Sequence, residues 1–358
     1  MEFDPTFLPK ISIIIPAHNE ERIIVRSIES ALEANYPYKE IIVVDDGSTD
    51  RTYSFARPYA RSGKIKLIHR DVASGSKSGA LNYGLFFSTG DLVISVDADT
   101  VLERNSLREI VKPLSDPRYS AASGNVRILR GEHGGMNLLV RIQAYEYLIS
   151  MELGRRFQAI AGTLLIISGA FGTFFKKNVD SLGQYDKDTI TEDFDMTFKM
   201  RKLGKRLAFV ENAVAWTFAP ELWRDWRRQR IRWTRGQAET LWKHRNLFTW
   251  GSFDWKLVLA VYDMLFIDMI LLFIRFGWLA ILPLLDLPTF PYVMSLSIFF
   301  YMFMELFSII TAGLLSPRKR DLRYAYLFPV MVLLYRPYYA LIRMWAYLGW
   351  VLKKESRW

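Results

Sequence analysis

Residues 93–100 read Val-Ile-Ser-Val-Asp-Ala-Asp-Thr, an apolar run that ends in two carboxylates one residue apart. A short run rich in β-branched residues predicts a buried strand. In an extended chain, positions i and i+2 point to one side, so Asp97 and Asp99 are expected to converge where the strand ends. Converging carboxylates repel each other unless a cation lies between them. Mg2+ and Mn2+ take oxygen donors and, held by only one or two carboxylates, keep positions open for phosphate oxygens. The chemistry implied is a metal–diphosphate site. The plainer alternative is a strand running into a solvated acidic turn, since Asp is a common turn residue.

Such a pair needs elements to position it. Apolar runs at 11–15 (closed by Pro16), 40–44, 65–68 and 93–96 alternate with helical spacing over 20–34, 50–61 and 79–88. Strands alternating with helices predict a mostly parallel sheet covered on both faces, and ligands in such sheets bind beyond the carboxyl ends of the strands. Three of those ends are polar here: Pro16-Ala17-His18-Asn19-Glu20, Asp45-Asp46 and Asp97-Ala98-Asp99. Their agreement favours a nucleotide site over an isolated acidic turn. No G-x-G-x-x-G follows the first strand and no G-x-x-x-x-G-K occurs, which disfavours a dinucleotide dehydrogenase or a P-loop triphosphatase. Phosphates would then be neutralised by metal and by basic side chains. Lys77, in Ser74-Gly75-Ser76-Lys77-Ser78-Gly79, is one candidate, and a solvated loop lysine is an equally ordinary reading of it.

Taken together, Ile15 to Glu20, Asp45-Asp46-Gly47-Ser48, Lys77 to Asn82 and Asp97-Ala98-Asp99 resemble the GT-A-fold, family 2 inverting glycosyltransferases. Thr191-Glu192-Asp193 and Gln229-Arg230-Ile231-Arg232-Trp233 extend the resemblance. They match the T-E-D and Q-x-x-R-W signatures of the membrane-bound subgroup that holds cellulose, chitin, hyaluronan and poly-N-acetylglucosamine synthases. The resemblance implies an α/β fold: a GT-A catalytic domain with a Rossmann-like mixed sheet, interfacial amphipathic helices, and a C-terminal α-helical transmembrane region.

It also implies roles. Asp45 and Asp46 would contact the uracil and ribose of a UDP-sugar, with Pro16, Ala17, Asn19, Glu20, Lys77 and Ala98 completing the donor site. Asp97 and Asp99 would flank the diphosphate and hold Mn2+ or Mg2+, Asp99 being the direct ligand. Asp193, beside Glu192, would be the base for the acceptor hydroxyl, because a metal-bound carboxylate is a poor proton acceptor. A helix N-terminus lowers a carboxylate pKa and burial raises it, and the sequence does not rank the two. Gln229, Arg232 and Trp233 share one helix face, from which Arg232 can pair with diphosphate oxygens and Trp233 can stack on the acceptor sugar. Gly169, Ala170 and Phe171 would shape the acceptor pocket. The ordinary readings are an acidic helix cap at 191–193 and an amphipathic helix with an anchoring Trp at 229–233.

Lys and Arg (47) exceed Asp and Glu (37), for a net charge of +10, which predicts an anionic partner. Basic residues interleaved with Trp223, Trp226, Trp233 and Trp242 suit nucleic acid or anionic lipid. The long apolar stretches 257–285 and 292–315 that follow favour lipid over nucleic acid. Residues 137–158 read as a further interfacial helix or a buried core helix. Pro317-Arg318-Lys319-Arg320 after the second stretch makes the catalytic side cytoplasmic by the positive-inside rule. The stretch 324–350, interrupted by Pro329 and Pro337, is expected to be a re-entrant or interfacial hairpin, or else a third span that leaves Lys353, Lys354 and Arg357 outside. Asp263, Asp268, Arg275 and Glu305 are ionisable groups within these stretches, and Asp268 and Arg275, seven apart on one helix face, are expected to line a polar path or a subunit contact, or else to form an ion pair that only fixes packing. The chain has no cysteine, which excludes disulfides and thiolate metal sites, and residues 1–10 lack the pattern of a signal peptide.

These readings divide the chain into a catalytic domain (1–219), interfacial helices (220–255) and a membrane region (256–358) of an integral protein of the cell membrane. The expected activity is transfer of a hexosyl or N-acetylhexosaminyl unit from a nucleotide sugar to a growing polysaccharide, by a homo-oligomer, since two or three spans make a narrow channel. The alternatives are a single transfer to a membrane lipid and a non-catalytic nucleotide-sugar-binding membrane protein.

Overall fold

The four apolar runs form parallel strands; those at 11–17, 39–46 and 92–96 are largely buried on both faces, whereas the edge strand at 66–70 carries Lys66, His69 and Arg70 and has no buried residue. In the computed structural model, which describes residues 4, 6–201, 203–246 and 255–352, the order is β1 (Ile11–Ala17), α1 (Ile24–Glu33), β2 (Lys39–Asp46), α2 (Thr52–Arg61), β3 (Lys66–Arg70), α3 (Lys77–Phe87) and β4 (Leu92–Val96). There follow β5 (Thr100–Leu102), α4 (Ser106–Val111), β6 (Tyr119–Gly131), α5 (Leu138–Ile149), α6 (Arg156–Ala161), β7 (Phe171–Phe175), α7 (Lys176–Ser181), α8 (Glu192–Arg201) and β8 (Arg206–Ala219). The sheet order is β3-β2-β1-β4-β7-β6-β8-β5. The first four strands are parallel, whereas β7 runs antiparallel to both β4 and β6, and β5 antiparallel to β8. The sheet is therefore mixed, with a parallel half that aims three polar strand ends at one edge.

Pro16 does not close the first strand as expected; the strand runs on to Ala17. Pairing of β1 with β4 stops at Ile14 and Ser95, while pairing with β2 continues to Ala17 and Asp45. Proline lies beyond the last β4 partner, where the sheet tolerates a missing N–H.

The chain divides into two compact units, the first holding described residues of 4–130 and 155–218, the second 131–154, 219–246 and 255–352. The stretch 131–154 thus groups with the C-terminal part. Within the second unit α5 buries Leu139, Ile142, Tyr145 and Leu148, as a core helix does. There α9 (Trp223–Lys243) precedes α10 (Trp255–Tyr262), which continues through a π-helical segment into α11 (Leu271–Leu285). Next come α12 (Phe290–Leu315), a 3-10 segment, α13 (Phe328–Val330), a π-helical turn (Met331–Tyr335) and α14 (Arg336–Val351).

Three helical stretches, Trp255–Leu285, Phe290–Leu315 and Arg320–Val351, are long and apolar enough to cross a membrane. The third is not broken by its prolines. Pro329 and Pro337 each fall in a first helical turn, where the absent N–H has no intrahelical role, and the π turn before Arg336 absorbs the irregularity. Lys353, Lys354 and Arg357 lie outside the described residues. Of the two readings of Asp268 and Arg275, the ion pair between them is not found among the described residues. Asp268 instead receives Arg343, whose guanidinium donates to its carbonyl at 2.8 Å, Arg275 lies over the Tyr301 ring, and Glu305 receives Arg336 at 3.0 Å. Helix-to-helix packing, not spacing along one helix, chooses these partners.

Candidate active site

At the end of β1, Asn19 takes a left-handed conformation (φ 59°). Its Oδ1 accepts the Thr49 N–H at 2.8 Å and its own N–H donates to Ser48 Oγ at 3.0 Å. The N–H of Glu20 donates to Thr52 Oγ1 at 2.7 Å. The Pro16–Glu20 tip is thereby bound to the loop after β2. Asp45 and Asp46 point to opposite sides of β2. Asp45 is fully buried against His69 at 2.6 Å, whereas Asp46 accepts the Ser74 N–H at 2.9 Å and Arg70 at 3.1 Å. Gly47, at φ 69°, has Ala73 backbone where a side chain would start, so this crossing of loops admits no other residue without strain.

Asp97 and Asp99 come together by a route other than the one their spacing suggested. The strand stops at Val96, and the Thr100 N–H donates to the Asp97 carbonyl at 2.9 Å. Residues 97–100 therefore form a β-turn, not a strand end. Burial pushes Asp99 up to about 7, and the charge of Asp97 pushes in the same direction; Lys77 and hydrogen bonds from Thr100 and Thr217 oppose them.

Lys77 starts α3, whose N-cap Ser76 accepts the Gly79 N–H. Its ammonium is 2.5 Å from Asp97 Oδ1 and 2.9 Å from Glu192 Oε1. One cation thus joins the turn after β4 to the first turn of α8. Asp193 accepts the Gly169 N–H at 3.0 Å and the Phe194 N–H at 2.8 Å. Burial raises it to about 6, the neighbouring Glu192 charge adds to the rise, and Lys77 and the two N–H groups hold it back. The competition left open by the sequence is settled for burial. A Cβ on Gly169 would stand 2.9 Å from Lys77 Nζ and 3.3 Å from Asp193 Oδ2, so close approach requires glycine there.

The site brings together Lys77, Asp97, Asp99, Gly169, Glu192 and Asp193. Phe171, expected to line an acceptor pocket, does not: its ring is 0% exposed and packs over Gly124. Ala170 immediately precedes β7, and Ala98 is buried within the β-turn. Gln229, Arg232 and Trp233 lie on α9 of the second unit, Gln229 and Trp233 half-buried and Arg232 exposed. Arg230 stands 4.5 Å over the Trp233 ring, so one face of that indole is already covered.

Sequence reasoning missed several supports. Asn82, in the Lys77 to Asn82 motif but given no role by it, holds both backbone polar groups of Tyr185, at 2.8 and 3.0 Å, and so fixes the segment leading to α8. Ser95, a hydroxyl inside an apolar run, donates to the Gly169 carbonyl at 2.9 Å; its polarity was the available signal. Arg155 faces the field of Asp193 and is drawn down to about 10 by burial. In the second unit Arg230 is buried, 2.7 Å from Glu146, which also accepts the Tyr335 hydroxyl.

Two carboxylates on a tight turn, one raised by burial and further by its neighbour's charge, suit a divalent cation, which would relieve that repulsion. Among the described residues no group of three or more His, Asp or Glu side chains is arranged to hold a metal alone. Further ligands would come from phosphate oxygens and water.

Residues 12–183 match the family model described as glycosyl transferase family 2. The chain is 31% identical over 232 residues to the poly-beta-1,6-N-acetyl-D-glucosamine synthase of Staphylococcus epidermidis, covering 64% of this chain and 55% of that protein. It is likewise 31% identical over 235 residues to the synthase of the same name from Staphylococcus aureus strain COL, covering 65% and 56%. The chain thus spans about half the length of these curated relatives. A mannosyltransferase of Pyrobaculum calidifontis, solved with GDP-Man and Mn2+, superposes with TM-score 0.70 at 21% identity over 99% of this chain and 90% of that one. The likeness establishes the GT-A-like α/β fold.

Proposed function

From a chain whose residues 12–183 match the glycosyl transferase family 2 model, we propose inverting transfer of a sugar from a UDP-sugar to a growing polysaccharide at the cytoplasmic face of the cell membrane. The observation that carries this reading is the Lys77 bridge. It draws Asp97 and Glu192, and with Glu192 the adjacent Asp193, into one site. Both halves of the reaction then have a carboxylate held beside one ammonium. The names of the staphylococcal relatives support a polymer as the product, and three candidate spans support a membrane location.

Asp46 and Arg70, already paired at 3.1 Å, offer a hydrogen-bonding edge for the nucleoside. Asp99, with Asp97, would hold Mn2+ or Mg2+. When bound, the cation supplies Lewis-acid stabilisation of the leaving diphosphate. Asp193 takes the proton of the acceptor hydroxyl. With its pKa raised to about 6, it is ionised at neutral pH yet more basic than an ordinary carboxylate. Its hydrogen bonds from Gly169 and Phe194 hold the carboxylate in place, and Lys77 offsets part of the negative charge. Gln229, Arg232 and Trp233 would serve the diphosphate and the acceptor.

The test is incubation of purified protein with labelled UDP-sugars and Mn2+ or Mg2+, followed by sizing of the product. A long chain supports the proposal, and label extracted only into organic solvent replaces it with single transfer to a lipid. Donor binding without product leaves only the nucleotide-sugar-binding reading.

A further inference from the structure

We infer that Lys77 is a resident counter-ion that occupies the cation position at Asp97 until a donor diphosphate draws its ammonium away. Metal loading is then coupled to donor binding. The inference deepens the proposed function and rests on its assignment of Asp97 and Asp99 to a cation.

Four carboxylates, Asp97, Asp99, Glu192 and Asp193, share this end of the sheet, and Lys77 is the ammonium set directly between two of them. At 2.5 Å from Asp97 Oδ1 and 2.9 Å from Glu192 Oε1, it takes one oxygen of a carboxylate that, with Asp99, is assigned to the divalent cation. Two cations cannot share that oxygen without strong repulsion at contact distance. Release of Lys77 into solvent would leave Glu192, itself 9% exposed, without its ammonium partner, an expensive state for a buried charge. A diphosphate changes the balance, because it brings negative oxygens that can accept the ammonium while the metal takes Asp97. The lysine is built for a short transfer. Its backbone is fixed at the first turn of α3 by the Ser76 cap, and Gly169 leaves the space beside Nζ that any larger residue would fill. Without donor the clamp keeps Glu192 and Asp97 together; with donor the same group turns to the phosphates.

The test is Mn2+ binding to the full chain in detergent, read by electron paramagnetic resonance with and without UDP, for wild type, Lys77→Met and Lys77→Arg. Loss of a charge-assisted contact is worth on the order of tenfold in affinity or more. Lys77→Met is expected to bind Mn2+ without UDP at least tenfold more tightly than wild type, while Lys77→Arg stays near wild type. The melting temperature of each variant reports folding independently. If Lys77→Met does not fold, the arm read is Lys77→Gln. Unchanged or weaker UDP-free Mn2+ affinity in the uncharged variant overturns the inference, and Mn2+ binding by wild type with UDP still stands for the proposed cation site. Absence of Mn2+ binding in wild type even with UDP overturns both.

Discussion

Replacing Asp193 with Asn should slow transfer by orders of magnitude and at the same time stabilise the fold at alkaline pH. The carboxyl is raised from 3.8 to about 6, which corresponds to about 3 kcal/mol of preference for the protonated form, an upper bound because an edge of the group meets solvent. A raised carboxylate destabilises the native state when ionised. The folded state binds more protons than the unfolded one between pH 4 and pH 6, so this contribution to stability falls as pH rises through that window. Asparagine escapes the penalty but accepts only one of the two N–H groups, from Gly169 and Phe194, that the carboxylate accepts. That loss costs about 1–2 kcal/mol, which leaves a net gain of about 1 kcal/mol at pH 8 and none below pH 4. Melting temperatures of both proteins across pH 4–8 measure it, and the difference should grow with pH. Loss of a general base lowers the rate by about 10²–10⁴-fold, while UDP binding stays within a few fold. A variant less stable than wild type at pH 8, or one that retains transfer within tenfold, refutes this account of Asp193.

Further outcomes follow from the same geometry. Asp99→Ala should lose divalent-cation-dependent donor affinity, measured by titrating UDP with and without Mn2+; affinity that keeps its Mn2+ dependence counts against the ligand assignment. Gly169→Ala puts a methyl 2.9 Å from Lys77 Nζ and should lower kcat at least tenfold, with a loss of stability on the order of 1–3 kcal/mol. Arg230→Met leaves Glu146 without its 2.7 Å partner and should cost about 3–5 kcal/mol, seen as a lower melting temperature that Glu146→Gln in the same chain partly restores. Because the chain has no cysteine, single cysteines can report sidedness. Leu287→Cys, in the exposed turn between α11 and α12, should react with an impermeant maleimide on intact cells, and Ser62→Cys only after permeabilisation.

The parallel half of the sheet was legible because its strands are short runs rich in β-branched residues, and the site because acidic residues sit where those runs stop. The way the site closes was not. Asp97 and Asp99 meet through a β-turn sealed by the Thr100 N–H, which no alternation rule contains. Lys77 looked equally like a solvated loop residue, since its partner Glu192 is 115 positions away, a pairing that only folding reveals. Asn82 was part of a motif but carried no role there, and Arg155, an ordinary residue type, ends a π-helical segment that nothing local marks. Phe171 was assigned by resemblance alone and belongs to the core. Pro329 and Pro337 looked like helix breaks because spacing does not say which residue begins a turn. In the second unit, Arg343 rather than Arg275 reaches Asp268, because interhelical packing sets that choice.

The central claim is that a cation-assisted diphosphate leaves from one face of the sugar while Asp193 readies an acceptor hydroxyl on the other. The most direct measurement is the anomeric configuration of the new linkage by proton NMR, taken together with the ratio of UDP released to sugar transferred. The account predicts a β-linked product from an α-linked donor, one UDP for each sugar transferred, and product from Asp193→Asn formed about 10²–10⁴-fold more slowly. An α-linked product, or UDP released with free sugar alone, would contradict it.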